Sequence, residues 1–503
     1  MSDEVKDMRE KSTTASQTSS YRSIFKATSL FGGLQVYQIL IGIIKSKFIA
    51  ILLGPEGMGV QGLYQTTLDL IKSFTAFGLE QSAVRDVSEA YGSSDNKRIE
   101  RTTATINKLV WVTGFLGLLV TLLMSPILSK WTFGNSNFTL GFIILSLTLL
   151  LNQICSGQKV LLQGMRRLKD LAKASAIGAT IGLLASVPLY YWLGIKGIVP
   201  TMVLSSITAL LLSWFYANKL TIKKIDISTN EVVKNGTSML KMGVAMSISS
   251  ILVTLSAYVL RWFIRSEGGI NEVGFFSAGI LITNIYVGMV FTAMGTDFYP
   301  RLAAVNKDNN RCREVINQQG EVALLIIAPV IISCILFMPL IIRIIYSEAF
   351  LPANNYIMFA VSGMVFRAGS YVVSYIYLAK AESKIFIINE TTFNVVMLAL
   401  NIIGYKIGGL SGLGITYSLG YFAYLFQVYI VAHYRYDFRF SYVFIKIFLI
   451  QIAFVLFSLL SVLLIKDSMV YLIAGFSFVT CTIFSIRELE SRIHFKQFLQ
   501  NRK

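Results

Sequence analysis

Charge is scarce in this sequence. Only 14% of its 503 residues are Asp, Glu, Lys or Arg, against about 25% in a soluble globular domain, which excludes a water-soluble enzyme or binding module. Histidine is nearly absent: His433 and His494 are too few and too far apart for a His-rich metal centre. Four scattered cysteines (Cys155, Cys312, Cys334 and Cys481) include no CxxC pair, so there is no disulfide framework to read. A Walker A sequence is missing, which leaves the chain without ATPase machinery of its own. The first 20 residues lack an apolar run and are polar, charged and rich in Ser and Thr. They read as a disordered cytoplasmic tail, not a cleaved signal.

What fills the chain instead is long apolar runs, with 54% of residues hydrophobic. Each run is near the roughly 20 residues that cross a hydrocarbon core. The runs predict about 14 transmembrane helices, near 28–53, 58–79, 107–128, 138–158, 174–194, 196–217, 240–262, 274–296, 321–345, 354–379, 385–404, 410–432, 441–465 and 468–486. With the N-terminus in the cytoplasm, 34 of the 45 Lys and Arg fall on the cytoplasmic side, seven on the outer side and four inside spans. That is the positive-inside distribution. It places both termini of a multi-pass membrane protein in the cytoplasm. It also accounts for the net charge of +18 without nucleic acid as a partner, since an anionic leaflet attracts the same charge.

A self-comparison at an offset of 215 residues brings landmarks into register: Gly54 and Gly59 on Gly269 and Gly274, Lys169 on Lys384, and Tyr190, Gly194 and Gly197 on Tyr405, Gly409 and Gly412. Each repeat holds six spans, an even number, so both insert in the same orientation around a two-fold axis along the membrane normal. The expected fold is therefore an all-α polytopic membrane protein: two six-helix lobes, 21–217 and 238–438, around a central cavity. A cytoplasmic linker at 218–237 joins them, transmembrane helices 13 and 14 span 439–486, and a cytoplasmic tail covers 487–503.

Polar residues recur on single helical faces at about 100° per residue. Span 1 carries Gly32, Gln35, Gln38, Gly42 and Lys45, and span 2 carries Gln61, Gln65, Asp69 and Lys72. Span 7 carries Ser247, Ser250, Thr254, Tyr258, Arg261 and Arg265, and span 8 carries Ser277, Asn284, Gly288 and Gly295. Arg367 opens a stripe through Ser370, Tyr371, Ser374 and Tyr377, while Glu390 shares a face with Asn394 and Asn401. Charges at membrane depth cost about 2.5–3.5 kcal/mol each and mark pathways. The excess of Lys45, Lys47, Lys72, Arg261, Arg265 and Arg367 over Asp69 and Glu390 points to an anionic, phosphate-bearing substrate. Each also has a plainer reading. Lys45 and Lys47 face different ways, so one of them snorkels. Arg261 and Arg265 sit where interface anchors sit, Asp69 and Lys72 are spaced to neutralise each other, and Arg367 with Glu390 would make a buried ion pair. The GxGxxG match at 57–62 follows no strand and is not a dinucleotide site.

The runs Leu53-Gly54-Pro55-Glu56-Gly57-Met58-Gly59 and Tyr346-Ser347-Glu348-Ala349-Phe350, with the stretch from Gly363 to Tyr371 continuing to Leu378-Ala379-Lys380-Ala381, resemble Wzx-type polysaccharide flippases for O-antigen and lipid III. Their superfamily also holds lipid II flippases and MATE exporters. The resemblance spans roughly residues 21–438. It implies alternating-access export of a polyprenyl-pyrophosphate-linked oligosaccharide, with a polysaccharide polymerase and a chain-length regulator as partners. It places Lys47, Arg261 and Arg367 on basic positions of cavity-lining helices and Glu390 on an acidic one. Gln35, Lys45, Lys72, Gln65 and Asn284 rest on the helical-face argument. No cofactor is implied beyond a coupling ion, proton or sodium, for which Asp69 and Glu390 are the candidates. A MATE-like cation-coupled multidrug antiporter is the alternative reading. A membrane polysaccharide polymerase or ligase is disfavoured, because the outer loops are short and carry no histidine.

Overall fold

The computed structural model describes residues 33–493, apart from Ser94, Lys224, Lys466 and Ser468. The tail at 1–20, Gly32 and the chain from 494 onward lie outside the described residues. Among the described residues every regular element is a helix. α1 (Gly33–Leu52), α2 (Gly54–Thr75), α3 (Leu79–Gly92), α4 (Asn96–Phe133), α5 (Thr139–Gly164), α6 (Leu168–Leu193), α7 (Ile198–Ala217) and α8 (Thr229–Gly268) come first. α9 (Ile270–Ile280), a π-helical segment (Leu281–Val287), α10 (Met289–Ala304), α11 (Asn309–Ile345), α12 (Asn354–Ser362), α13 (Met364–Ala379), α14 (Ser383–Tyr436), α15 (Tyr442–Leu464) and α16 (Met469–Ile493) follow.

Among the described residues eleven helical stretches are long and apolar enough to cross a membrane, and two of them, Leu168–Ala217 and Ser383–Tyr436, are 50 and 54 residues long. A straight helix of that length would run about 80 Å at 1.5 Å per residue, far beyond a core of about 30 Å. Both turn back on themselves instead. α6 and α7 meet at the 3₁₀ turn Gly194–Gly197, with Gly182 against Ser205. Within α14 the helix breaks at Gly408 and Gly409. Its arms are then tied by Tyr424 Oη donating to Glu390 Oε1 (2.5 Å) and Gln427 Nε2 to Asn389 Oδ1 (2.9 Å). α2 is not among the eleven, because the polar stripe from Gln61 to Lys72 lowers its hydropathy. α11 kinks at Phe337 (φ −106°, ψ 15°), between Pro329 and Pro339; a proline ring cannot share space with the carbonyl four residues before it.

α3 occupies a segment the hydropathy pattern reads only as a connection. Its buried residues Leu79, Ser82, Ala83, Val87 and Ala90 recur at helical spacing, and Val87 packs on Gly164 of α5. The stripe is too narrow and too polar for a hydropathy window to register, yet wide enough to cover one neighbouring helix. The GxGxxG match lies inside α2, away from any strand.

The duplication is written in backbone conformation. Gly54 and Gly269 both take positive φ, 65° and 86°. Gly194 (φ 56°, ψ −137°) and Gly409 (φ 56°, ψ −141°) adopt the same state, one that favours glycine. Arg166 and Ala381, again 215 apart, share φ near 58° and 57°. Gly197 has no room for a Cβ beside the Leu189 carbonyl, and its counterpart Gly412 has none beside the Gly404 carbonyl.

Contacts divide the chain into two compact units. The first comprises Met1–Lys45, Ile71–Pro126 and Thr139–Ser247. Its core joins α3, α4 and α5 to the start of α8 through Leu79, Val87, Ile106, Val160 and Met239. The segment read as a linker is docked into this core by Ile227, whose carbonyl accepts from Lys108 Nζ at 2.6 Å. The second unit comprises Ser46–Leu70, Ile127–Phe138 and Ile248–Lys503. Its core runs from Phe298 of α10 through Ile316, Val373 and Val428 to Phe438.

Candidate functional site

The sequence candidates separate by unit. Gln35 and Lys45 on α1 and Lys72 on α2 fall in the first unit; Lys47, Gln65, Asp69, Arg261, Asn284, Arg367 and Glu390 fall in the second. Gln35 is exposed, Lys45 and Lys72 half-buried.

In the second unit the first half of α2 lies against α8 and α9. Gly62 has no side chain to fill the contact, and a Cβ there would stand 2.8 Å from Ser277 Oγ and 3.9 Å from Arg261 Nε. Around this point two buried polar atoms, Arg261 Nε and Ser277 Oγ, have no hydrogen-bond partner among the described residues, nor has Gln61 Oε1 on the preceding residue of α2. The Arg261 guanidinium sits 5.4 Å from the centroid of the Phe276 ring, and its Nη1 reaches only its own helix, at Ala257 O (3.4 Å). Asp69, which accepts from Gln65 Nε2 at 3.0 Å, and Tyr356 are within electrostatic reach of it. Buried polar groups are nearly always paired. A guanidinium with five donors and one long intrahelical bond therefore keeps most of its capacity for a ligand.

Arg367 is held very differently. Its Nη1 donates to Asn284 Oδ1 (2.7 Å), and that same oxygen accepts from Tyr417 Oη (2.9 Å). The guanidinium lies 5.4 Å from the ring centroids of both Phe291 and Tyr421. Asn284 reaches it from the middle of the π-helical segment, a local unwinding that recurs at functional sites. The Arg367–Glu390 ion pair weighed from the sequence is not formed: Glu390 accepts from Tyr424 within the α14 hairpin instead. Phe276 approaches Tyr356 at 5.8 Å, and Tyr417 lies within electrostatic reach of Tyr356. Aromatic rings thus flank both guanidiniums, Phe276 at Arg261 and Phe291 with Tyr421 at Arg367.

Lys47 is committed elsewhere, donating to the carbonyls of Arg343 (2.7 Å) and Tyr346 (2.5 Å) at the end of α11. Arg265 Nη2 donates to Trp131 O (2.8 Å). The rings around the two guanidiniums were missed from the sequence. Tyr417 and Tyr421, four apart on one helical face, were their legible part; Phe276 and Phe291 carry no sequence signal apart from core.

These helices, doubled turns and polar contacts define a multi-pass membrane protein with a known transporter fold. The structure aligns with an inward-facing multidrug resistance MATE family transporter of the MOP superfamily at TM-score 0.67 and 16% identity, covering 80% of this chain and 94% of that one. It aligns with the lipid II flippase MurJ in an inward closed conformation at TM-score 0.68 and 12% identity, covering 93% and 99%. Residues 48–355 match the family described as polysaccharide biosynthesis protein, and the chain belongs to that family. Among its relatives, a putative O-antigen transporter of Shigella flexneri is 24% identical over 394 residues, 76% of this chain and 90% of the relative. The lipid III flippase of Escherichia coli (strain K12) is 21% identical over 378 residues, 74% of this chain and 88% of the relative.

Proposed function

We propose that this protein is a flippase, not an enzyme, and that it carries a polyprenyl-pyrophosphate-linked oligosaccharide from the cytoplasmic to the outer leaflet of a bacterial inner membrane by alternating access. The observation that carries the reading is Arg261, a half-buried cation whose Nε has no protein partner in a chain whose relatives are named for O-antigen and lipid III. A pyrophosphate supplies acceptor oxygens matched to the planar guanidinium fork. Tyr417 and Tyr421, half-buried beside Arg367, offer ring faces and hydroxyls for sugar rings. The prenyl chain stays in lipid. Lys45, Lys72 and Gln35 are further candidates for substrate contact, within 14 spans arranged as lobes 21–217 and 238–438, with helices 13 and 14 beyond them and both termini cytoplasmic. A polymerase and a chain-length regulator receive the exported unit.

Deletion of the gene tests the reading through surface glycan and lipid-linked intermediates. Loss of display with the lipid-linked unit trapped on the cytoplasmic side is the expected result. Unchanged display in a strain with no second flippase overturns it. For coupling, Asp69 and Glu390 are proposed to bind the driving proton or sodium, since carboxylates at membrane depth titrate or bind ions. Asp69→Asn combined with Glu390→Gln is expected to abolish gradient-driven transport, and full glycan display by that double variant would remove both residues from the mechanism.

A further inference from the structure

Two basic side chains outside the Arg261 site make the same contact in opposite directions between the repeats. Lys47, in the first helix of the first repeat, donates to Arg343 O and Tyr346 O, the C-terminal carbonyls of α11 in the second repeat. Arg265, in the first helix of the second repeat, donates to Trp131 O at the C-terminus of α4 in the first repeat. Trp131 and Tyr346 are 215 residues apart, so the accepting carbonyl is the same one in each repeat. The cations are offset by a single helical turn, since Arg265 corresponds to Ala50. Gly134, at φ 78°, leaves the space Arg265 needs, because a Cβ there would fall 2.5 Å from Nη1. Helix C-termini carry partial negative charge and unpaired carbonyls, which a cation satisfies together.

Between these two contacts the helix crossing is reciprocal as well. Gly59 abuts the Ile270 carbonyl and Gly274 abuts the Pro55 carbonyl; the 215 offset converts one contact into the other. The arrangement is self-complementary about a local two-fold axis, as in an isologous interface.

We propose that Lys47 and Arg265 are paired gate latches, positioning residues that hold the outer end of the protein closed by capping α11 and α4, and not ligands of the substrate. The inference rests on the flippase reading for the cycle that the gate serves. In that cycle both caps break together when the outer end opens, and the freed carbonyls return to water.

The test places a cysteine at Val60, a buried position on α2 beside Gly59, and measures its labelling by a membrane-impermeant maleimide from the outer side. Membranes come from cells that make no lipid-linked glycan, and the parent without the added cysteine gives the background. Lys47→Gln and Arg265→Gln are each expected to raise the labelling rate several-fold, the double variant more than either, and Lys47→Arg and Arg265→Lys to restore protection. Unchanged labelling in the double variant overturns the proposal. So does equal labelling of a second cysteine at Ile198, buried at the outer start of α7, which would mean general loosening. Because no glycan is present, the gate and the substrate fail separately: a latch effect in a protein whose deletion leaves display intact sinks the flippase reading alone.

Discussion

Arg261→Ala is expected to cripple transport while leaving stability intact or improved. Losing the charge-assisted bonds of one guanidinium to a phosphate removes about 2 kcal/mol, roughly 30-fold in affinity. The folded protein loses little, because Arg261 makes one long bond to its own helix and leaves Nε unpaired; an incompletely paired, desolvated cation is itself a cost. Arg261→Lys is expected to recover only part of the activity, since an ammonium lacks the planar fork. The contrast is Arg367→Ala, which strips Asn284 and Tyr417 of their shared cation and is expected to lower the melting temperature of the detergent-solubilised protein. Melting curves and lipid-linked glycan binding measured on both variants decide the matter. A large destabilisation by Arg261→Ala would return that residue to a packing role.

Gly274→Ala is expected to destabilise the protein even though alanine is the better helix former by about 1 kcal/mol. Its Cβ would meet the backbone carbonyl of Pro55, and that of Gly59→Ala the carbonyl of Ile270. Backbone atoms cannot rotate away as a side-chain tip can, so the α2–α9 crossing must widen, at a typical overpacking cost of about 1–3 kcal/mol. Because the two contacts are related by the repeat, the two variants should lower the melting temperature by similar amounts. A neutral result for either would show that the crossing is loose and that the glycine register has another origin.

Much of this architecture is legible in residue order. Long apolar runs force helices, because backbone groups in lipid must be satisfied within the segment. The glycine register at 215 fixed the duplication, because Gly54, Gly194, Gly269 and Gly409 occupy conformations in which other residues are strained. Asn284 and Arg367 stood on polar faces and do meet.

Which cations are free and which are spent was not legible. Periodicity gives the direction in which a side chain leaves its own helix, and nothing about the carbonyl or ring it meets on another. Lys47 lay on no polar stripe and Arg265 looked like an anchor, yet each closes a distant helix end. Arg261 and Arg367 looked alike, and one is left with an unpaired donor while the other is boxed by Asn284, Phe291 and Tyr421. The sequence alone determined the apolar helices, the repeat and the sign of the charge, because these follow from solvation and local backbone sterics. The tertiary structure alone decided the partners, because a hydrogen bond across 134 or 299 residues depends on where packing sets two helices, to within an ångström.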